Sequence, residues 1–189
     1  MKKLALFASG NGSNVQAIID AIESGRLHAA AVLLVCDKPG AYVIDRAERA
    51  GIPAFVFHPK EYSSKEEYES EISGLLDNAG IDYVVLAGYM RLIGPTLLEK
   101  YRGRIINIHP SLLPSFPGKD AIGQAVRAGV KVTGVTIHFV DEGMDTGPII
   151  AQRAVEISDG DTLEEVTEKI HKVEHGFYPD TLGKLFSDN

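Results

Sequence analysis

The chain has 189 residues, enough for one domain with a full core. Its 44% apolar and 24% charged content is ordinary for a globular protein, and its net charge of −7, from 26 acidic and 19 basic residues, argues against a nucleic-acid or anionic-membrane partner. The single cysteine, Cys36, excludes an internal disulfide and a cysteine metal cluster. No run approaches the roughly 18 apolar residues of a membrane span, so a cytoplasmic protein is expected.

Residues 3–8 read as a short buried strand, followed by Ser9-Gly10-Asn11-Gly12-Ser13-Asn14 and a helical stripe of Val15, Ile18, Ile19 and Ile22 closed by Gly25. Strand, glycine-rich turn and helix in that order describe a phosphate-binding turn. The glycines let the backbone approach, and N–H groups at the helix start face an anion. The turn lacks the Lys-Ser/Thr pair of a Walker A loop and the G-x-G-x-x-G spacing of a dinucleotide site, so a small phosphomonoester suits it better than ATP or NAD. A tight connection with a Ser or Asn helix cap is the competing reading. A second strand over 29–36 holds Cys36 in an apolar run, where a thiol is inert core rather than a nucleophile. Asp37-Lys38-Pro39-Gly40 turns into a helix over 41–50, and Ala54 to Phe57 forms a third strand. Ser63-Ser64-Lys65-Glu66 starts the next helix, with Glu66 or Glu67 able to complete a capping box, and Gly80 stops it. Most charges here mark a solvated face, while Lys65 stands near enough to the helix start to reach a ligand phosphate.

A fourth strand over 82–87 ends at Gly88-Tyr89-Met90-Arg91-Leu92-Ile93-Gly94-Pro95, a loop that is unusually apolar and holds one arginine. Two readings stay open for it: a helix packing on the core, or one wall of a pocket for a flat ring. A short helix over 97–101 precedes a strand at Arg104–Asn107. This β-α alternation argues for a Rossmann-like, mostly parallel twisted sheet with helices on both faces. After Pro114-Ser115-Phe116-Pro117-Gly118 come a helix over 120–128, a strand over 131–140, the loop Asp141-Glu142-Gly143-Met144-Asp145-Thr146-Gly147-Pro148 and a returning strand over 149–157. That pair reads as an antiparallel edge hairpin. The last segment is helical to Phe186, with a break or kink at Pro179. Without repeats or linkers, residues 1–189 read as one domain.

Three features fall on the same side of this sheet: the Gly10–Asn14 turn, Asn107 with His109, and the 141–147 loop. Along a strand, Asn107 and His109 point to one face while Ile106 and Ile108 point to the other. Ligands of open α/β sheets bind at such strand ends. A strand-capping Asn with a structural His is the plainer alternative. An amide, an imidazole and a carboxylate suffice for acyl-group chemistry without a covalent step. Ser111 lacks a nucleophile-elbow setting. Of the six histidines, only His171 and His175 have the H-x-x-x-H spacing, and no zincin Glu stands between them, so no metal is expected.

These motifs carry a resemblance. Ser9–Asn14, Ala87-Gly88-Tyr89-Met90-Arg91, Asn107-Ile108-His109-Pro110-Ser111-Leu112-Leu113-Pro114 and Asp141–Pro148 together resemble the glycinamide ribonucleotide (GAR) formyltransferases of purine biosynthesis, over essentially the whole chain. The resemblance implies a 10-formyltetrahydrofolate-dependent transfer to the glycyl amine of GAR. In it, Asn107, His109 and Asp145 match the catalytic trio: Asn107 and His109 stabilise the oxyanion, and Asp145 supports His109 and proton transfer. Asn11, Gly12, Ser13 and Asn14 would cradle the GAR phosphate, with Lys65 near it and Glu174 at the amine or ribose end. Met90, Arg91, Leu92 and Ile93, with Val140, Asp141 and Asp145, would line the folate site, although Arg91 could instead form a salt bridge elsewhere. The amino-terminal half would bind GAR, and the carboxy-terminal half would bind folate and carry the chemistry. Family members vary at Gly118-Lys119-Asp120. A homodimer is compatible with this reading.

Methionyl-tRNA formyltransferase shares the catalytic strand but carries a further domain and a basic surface. The formyltetrahydrofolate hydrolases carry an added regulatory domain. A non-catalytic phosphometabolite-binding module would have no use for the Asn107/His109/Asp145 set.

Overall fold

Short apolar runs alternate with amphipathic stripes along this chain, and a computed structural model turns them into a sheet clothed by helices on both faces. The structure describes residues 1–188; residue 189, the last of the expected domain, lies outside them. In chain order the elements are β1 (Lys2–Ala8), α1 (Ser13–Glu23), β2 (Ala29–Cys36), α2 (Tyr42–Arg49), β3 (Ala54–Val56), α3 (Lys65–Ala79), β4 (Tyr83–Leu86), α4 (Pro95–Lys100), β5 (Ile105–His109), α5 (Ala121–Ala128), β6 (Val132–Phe139), β7 (Ile149–Glu156) and α6 (Leu163–Ser187).

The seven strands lie in the order β3-β2-β1-β4-β5-β6-β7. β1 to β5 run parallel, and β6 and β7 close one edge as the expected antiparallel hairpin. The order reverses between β1 and β4, and a crevice opens outside the carboxyl ends of strands at such a point. Two predicted loops leave there: the turn after β1 and the 88–94 loop after β4.

β1 is the centre of the molecule. Leu4 to Ala8 are fully buried, and alternation sends them to different layers. Leu4, Leu6 and Ala8 pack with α1, α2 and α6 through Val15, Ile18, Val43, Ile170 and Tyr178. Ala5 and Phe7 pack with α3 and α4 through Tyr68, Ile72, Leu76 and Leu97. At ~25 cal/mol per Å² of apolar surface, these two layers supply most of the drive to fold.

Two helix predictions are refined. Ser64 is the N-cap of α3, and of the two candidate partners it is Glu67 that answers it: the Ser64 hydroxyl accepts from the Glu67 N–H, and the Glu67 carboxylate accepts from the Ser63 N–H. α6 opens with a full capping box between Thr162 and Glu165 and then runs without a break through Pro179, which is buried. Tertiary packing therefore outweighs the one backbone bond that proline removes. The next residue back shows how α6 is held. The Tyr178 hydroxyl, fully buried, lies 2.8 Å from the Leu86 carbonyl and 3.3 Å from that of Ile106. Burial pushes this phenol well above its ordinary range. One side chain thus clips α6 to β4 and β5, the two strands whose ends open into the 88–94 loop and the His109 segment.

Candidate active site

A cavity of about 670 Å³ lies at the carboxyl ends of β1, β4 and β5. It takes its walls from both halves of the chain, including Gly10–Asn14, Met90–Ile93, Asn107–Pro110, Gly118–Ile122 and Glu174. A larger hollow of about 950 Å³ sits at the opposite ends of the strands, around Lys2, Arg26, His28, Asp82, Arg153 and Lys184. It holds none of the sequence motifs, and open parallel sheets bind ligands at the other end. The smaller cavity is the candidate.

The turn after β1 is built without a side-chain cap. Gly12 is the N-cap residue of α1, in the left-handed region at φ 78°, and no side chain bonds the helix start. A Cβ at Gly12 would overlap the Val43 side chain, so the position needs glycine for both its conformation and its close approach to α2. The competing reading of a Ser or Asn cap does not apply. The helix presents its N-terminal N–H groups and dipole to the cavity. Asn14 Nδ2 donates to Glu174 Oε2 at 3.0 Å, which joins the turn to α6. Glu174 is buried, and desolvation raises its pKa while the Asn14 bond opposes the rise. Asn14 Oδ1 is buried without a protein partner and is therefore a free acceptor at the cavity wall.

β5 extends two residues further than the sequence suggests, so both Asn107 and His109 belong to the strand and share a face. The antiparallel register sets His138 of β6 directly across from Asn107. His138 Nδ1 lies 2.8 Å from the Phe139 carbonyl, which can only accept, so that nitrogen carries the proton. Nε2 is then an acceptor, and the Asn107 amide donates to it at 3.3 Å. This bond fixes the Asn107 side chain and leaves its second N–H for a ligand. His138 is a site residue that the sequence reading did not single out.

Asp145 adopts φ 57°, a left-handed conformation uncommon outside glycine but accessible to Asp. That turn aims its carboxylate back at the strand. Oδ2 accepts from the Gly118 N–H at 2.8 Å and lies 3.5 Å from His109 Nδ1, while Oδ1 lies 3.9 Å from His138 Nε2. His109 Nε2 sits 2.9 Å from the Phe116 carbonyl and must donate to it, which leaves Nδ1 as the nitrogen facing Asp145. The predicted trio is thus brought together. Ser111, by contrast, is fully buried, and its hydroxyl donates to the Ser115 carbonyl at 2.6 Å, so it serves the loop and not the chemistry.

The 88–94 loop is a pocket wall and not a helix. Met90, Arg91, Leu92 and Ile93 line the cavity, as does Val140. Of the two roles left open for Arg91, the ion pair is present: its Nε lies 2.8 Å from Asp37 Oδ2, whose side chain is only 1% exposed. Asp37 also accepts from the Ser9 hydroxyl at 2.5 Å, and Ser9 Oγ in turn accepts from the Met90 N–H at 2.9 Å. Lys65 belongs to this same bracing. Its ammonium donates to the Leu92 carbonyl at 2.6 Å, and it does not line the cavity. Glu69, buried and pushed up in pKa by desolvation, accepts from the Gly94 N–H at 2.8 Å. Asp141 also stays off the cavity wall. Its Oδ1 accepts from the Thr146 hydroxyl at 2.6 Å and the Gly143 N–H at 3.0 Å, with the Thr146 bond first among the causes that lower its pKa. It shapes the loop that carries Asp145.

The site therefore combines an anion-receptive helix start, a fixed amide, an imidazole beside a carboxylate, and an apolar wall. Known proteins resemble this chain in sequence and in fold. A family model described as "Formyl transferase" covers residues 2–182. Phosphoribosylglycinamide formyltransferase of Bacillus subtilis is 58% identical over 189 residues, covering 100% of this chain and 97% of that protein. Glycinamide ribonucleotide transformylase 1 from Geobacillus kaustophilus superposes with a TM-score of 0.96 at 64% identity, covering 98% of each chain. Phosphoribosylglycinamide formyltransferase from Bacillus halodurans gives a TM-score of 0.96 at 61% identity, covering 98% of this chain and 96% of that one. The chain belongs to the formyl transferase family.

Proposed function

We propose that the protein transfers the formyl group of 10-formyltetrahydrofolate to the glycyl amine of GAR, releasing formyl-GAR and tetrahydrofolate. One observation carries this reading: Asn107, His109 and Asp145 meet in a cavity that has a glycine-containing turn at a helix start on one side and the apolar residues Met90, Leu92 and Ile93 on its wall. The relatives named for GAR formyl transfer support the same acceptor.

The roles follow from the available atoms. Gly12, Ser13 and Asn14 hold the phosphate at the start of α1, where N–H groups and the helix dipole favour a dianion. Asn11 shapes that turn, and Glu174 with Asn14 receives the far end of the acceptor. Met90, Leu92, Ile93 and Val140 enclose the folate ring system by packing and main-chain contacts. The amine lone pair forms the new C–N bond to the formyl carbon, and the bond from that carbon to the folate nitrogen breaks. Asn107, through its second N–H, and His109, protonated on Nδ1, donate to the formyl oxygen as it gains charge. Asp145 stabilises the charged imidazole and passes the proton lost by the amine toward the leaving nitrogen. No covalent enzyme intermediate is involved.

The test is to mix the purified protein with 10-formyltetrahydrofolate and follow the folate absorbance, with and without GAR. Deformylation that requires GAR supports the proposal. Deformylation without GAR favours a hydrolase, and no change in either tube rejects the assigned reaction.

A further inference from the structure

The turn that begins α1 is gripped from outside the cavity by one guanidinium. Arg46, on α2, donates from Nε to the Asn11 carbonyl at 2.8 Å and from Nη2 to Asn11 Oδ1 at 2.8 Å, while Nη1 lies 3.4 Å from Gln16 Oε1. The planar fork thus closes on both oxygens of a single residue, a geometry that lysine cannot reproduce. The rest of α2 adds to the hold. The Val43 N–H donates to the Gly10 carbonyl at 3.1 Å, and the Val43 side chain occupies the space beside Gly12. The Arg46 guanidinium also stacks 4.7 Å above the Tyr42 ring, whose hydroxyl receives Arg49 Nη1 at 3.1 Å. The arm is therefore fixed before any ligand arrives.

The charge of Arg46 is as informative as its bonds. All three of its acceptors are neutral, and among the described residues no carboxylate lies within ion-pair distance of it. In a chain of net charge −7, this places a half-buried cation without a carboxylate partner on Asn11, the residue just before the N-cap of α1. Its field reaches α6, where His175 is lowered in pKa by burial first and then by His171 and Arg46. Arg46 does not itself line the cavity.

We propose that Arg46 is the positioning residue of the phosphomonoester subsite: through Asn11 it sets the turn so that the N–H groups of α1 converge on the anion, and its unpaired charge favours a dianionic acceptor over a dephosphorylated one. This rests on the phosphate role assigned above to residues 12–14. It gives a selectivity that simple structural support does not, because only the acceptor's phosphate benefits.

The experiment compares wild type, Arg46→Gln and Arg46→Lys, using GAR, its dephosphorylated riboside and 10-formyltetrahydrofolate as substrates. Arg46→Gln raises the KM for GAR about tenfold, the worth of one charge-assisted bond, and leaves kcat and the folate KM within about twofold. Arg46→Lys falls in between, since it restores charge without the fork. The riboside shows less than about half of the loss seen with GAR on a logarithmic scale, because it lacks the charged partner. An unchanged GAR KM in folded Arg46→Gln overturns the proposal, as does an equal loss for GAR, riboside and folate. Calorimetric binding of ribose 5-phosphate separates this inference from the identity of the acceptor. Even if GAR is not turned over, wild type binds ribose 5-phosphate about tenfold more tightly than Arg46→Gln; equal affinities reject the role of Arg46.

Discussion

The turn at residues 10–14 and the loop at residues 88–94 leave neighbouring strands and line the same cavity, but they are held in different ways. The turn is a short run of small residues whose shape comes from Gly12 and from one cation, Arg46, applied from behind. The loop is longer and apolar, and it is braced at four of its residues by Ser9 on Met90, Asp37 on Arg91, Lys65 on Leu92 and Glu69 on Gly94. A phosphate has fixed charge and can be met by backbone N–H groups that any rigid turn supplies. A flat, largely apolar ligand offers little to aim at, so its wall must be immobilised by the protein itself before binding. Between the two stands the Asn107–His109–Asp145 cluster, fixed by His138, the Phe116 carbonyl and the Gly118 N–H.

This contrast can be broken from the centre outwards. Asn107→Ala, His109→Ala and Asp145→Asn each remove a group assigned to the transition state. Each is expected to cut kcat by about 10²–10⁴, with melting temperature and both KM values changed much less. Full turnover by His109→Ala would sink the assigned mechanism. Asn14→Ala acts on the side proposed for the acceptor. It is predicted to raise the KM for GAR by about 10- to 100-fold, the cost of its bond to Glu174 and of its buried acceptor, while kcat falls less. A dominant kcat effect would place the phosphate elsewhere.

Asp37→Asn acts on the side proposed for the donor. It keeps an acceptor for Ser9 but leaves Arg91 without its counter-charge. The expected result is a severalfold higher KM for 10-formyltetrahydrofolate and a stability loss of about 1–3 kcal/mol, measured by steady-state kinetics and denaturant titration. An effect confined to GAR would contradict the assigned sides.

The smallest effect expected concerns pH. Burial raises the folded-state pKa of Glu174 above its ordinary 4.5, so the unfolded chain gives up that proton first. Its contribution to stability is complete below that value and is lost as pH rises through the raised folded pKa. Glu174→Gln cannot titrate, so its melting temperature is predicted to fall less than that of wild type over that interval. Parallel curves for the two proteins would remove Glu174 as the source.

How much of this was legible in the sequence follows from how local each feature is. The Gly12 turn is contiguous, so its position between β1 and α1 and its need for glycine could be read directly. Asn107 and His109 are linked by strand alternation, again a local rule, and the sheet class follows from the order of apolar runs. Asp145 could be placed in a loop on the right side, but its aim depends on a left-handed backbone angle that no pattern announces. His138 enters through the β5–β6 register, and Arg46 through the packing of α2 behind the turn. Lys65 was legible as a cation at a helix start, but its target was not: helix α3 sets it beside Leu92. The charges of Asp37 and Glu69 look like loop and surface residues in the sequence, and only the fold buries them under the 88–94 loop.

The central claim is that acceptor and donor meet in one cavity and react directly, with the protein supplying only positioning and charge stabilisation. The most direct measurement is to incubate the enzyme with formyl-labelled 10-formyltetrahydrofolate without GAR, quench, and look for label on the protein by intact mass. The account predicts unlabelled protein and intact donor, followed by stoichiometric transfer of label to GAR once it is added. Label bound to the protein, or tetrahydrofolate released before GAR is present, would contradict it.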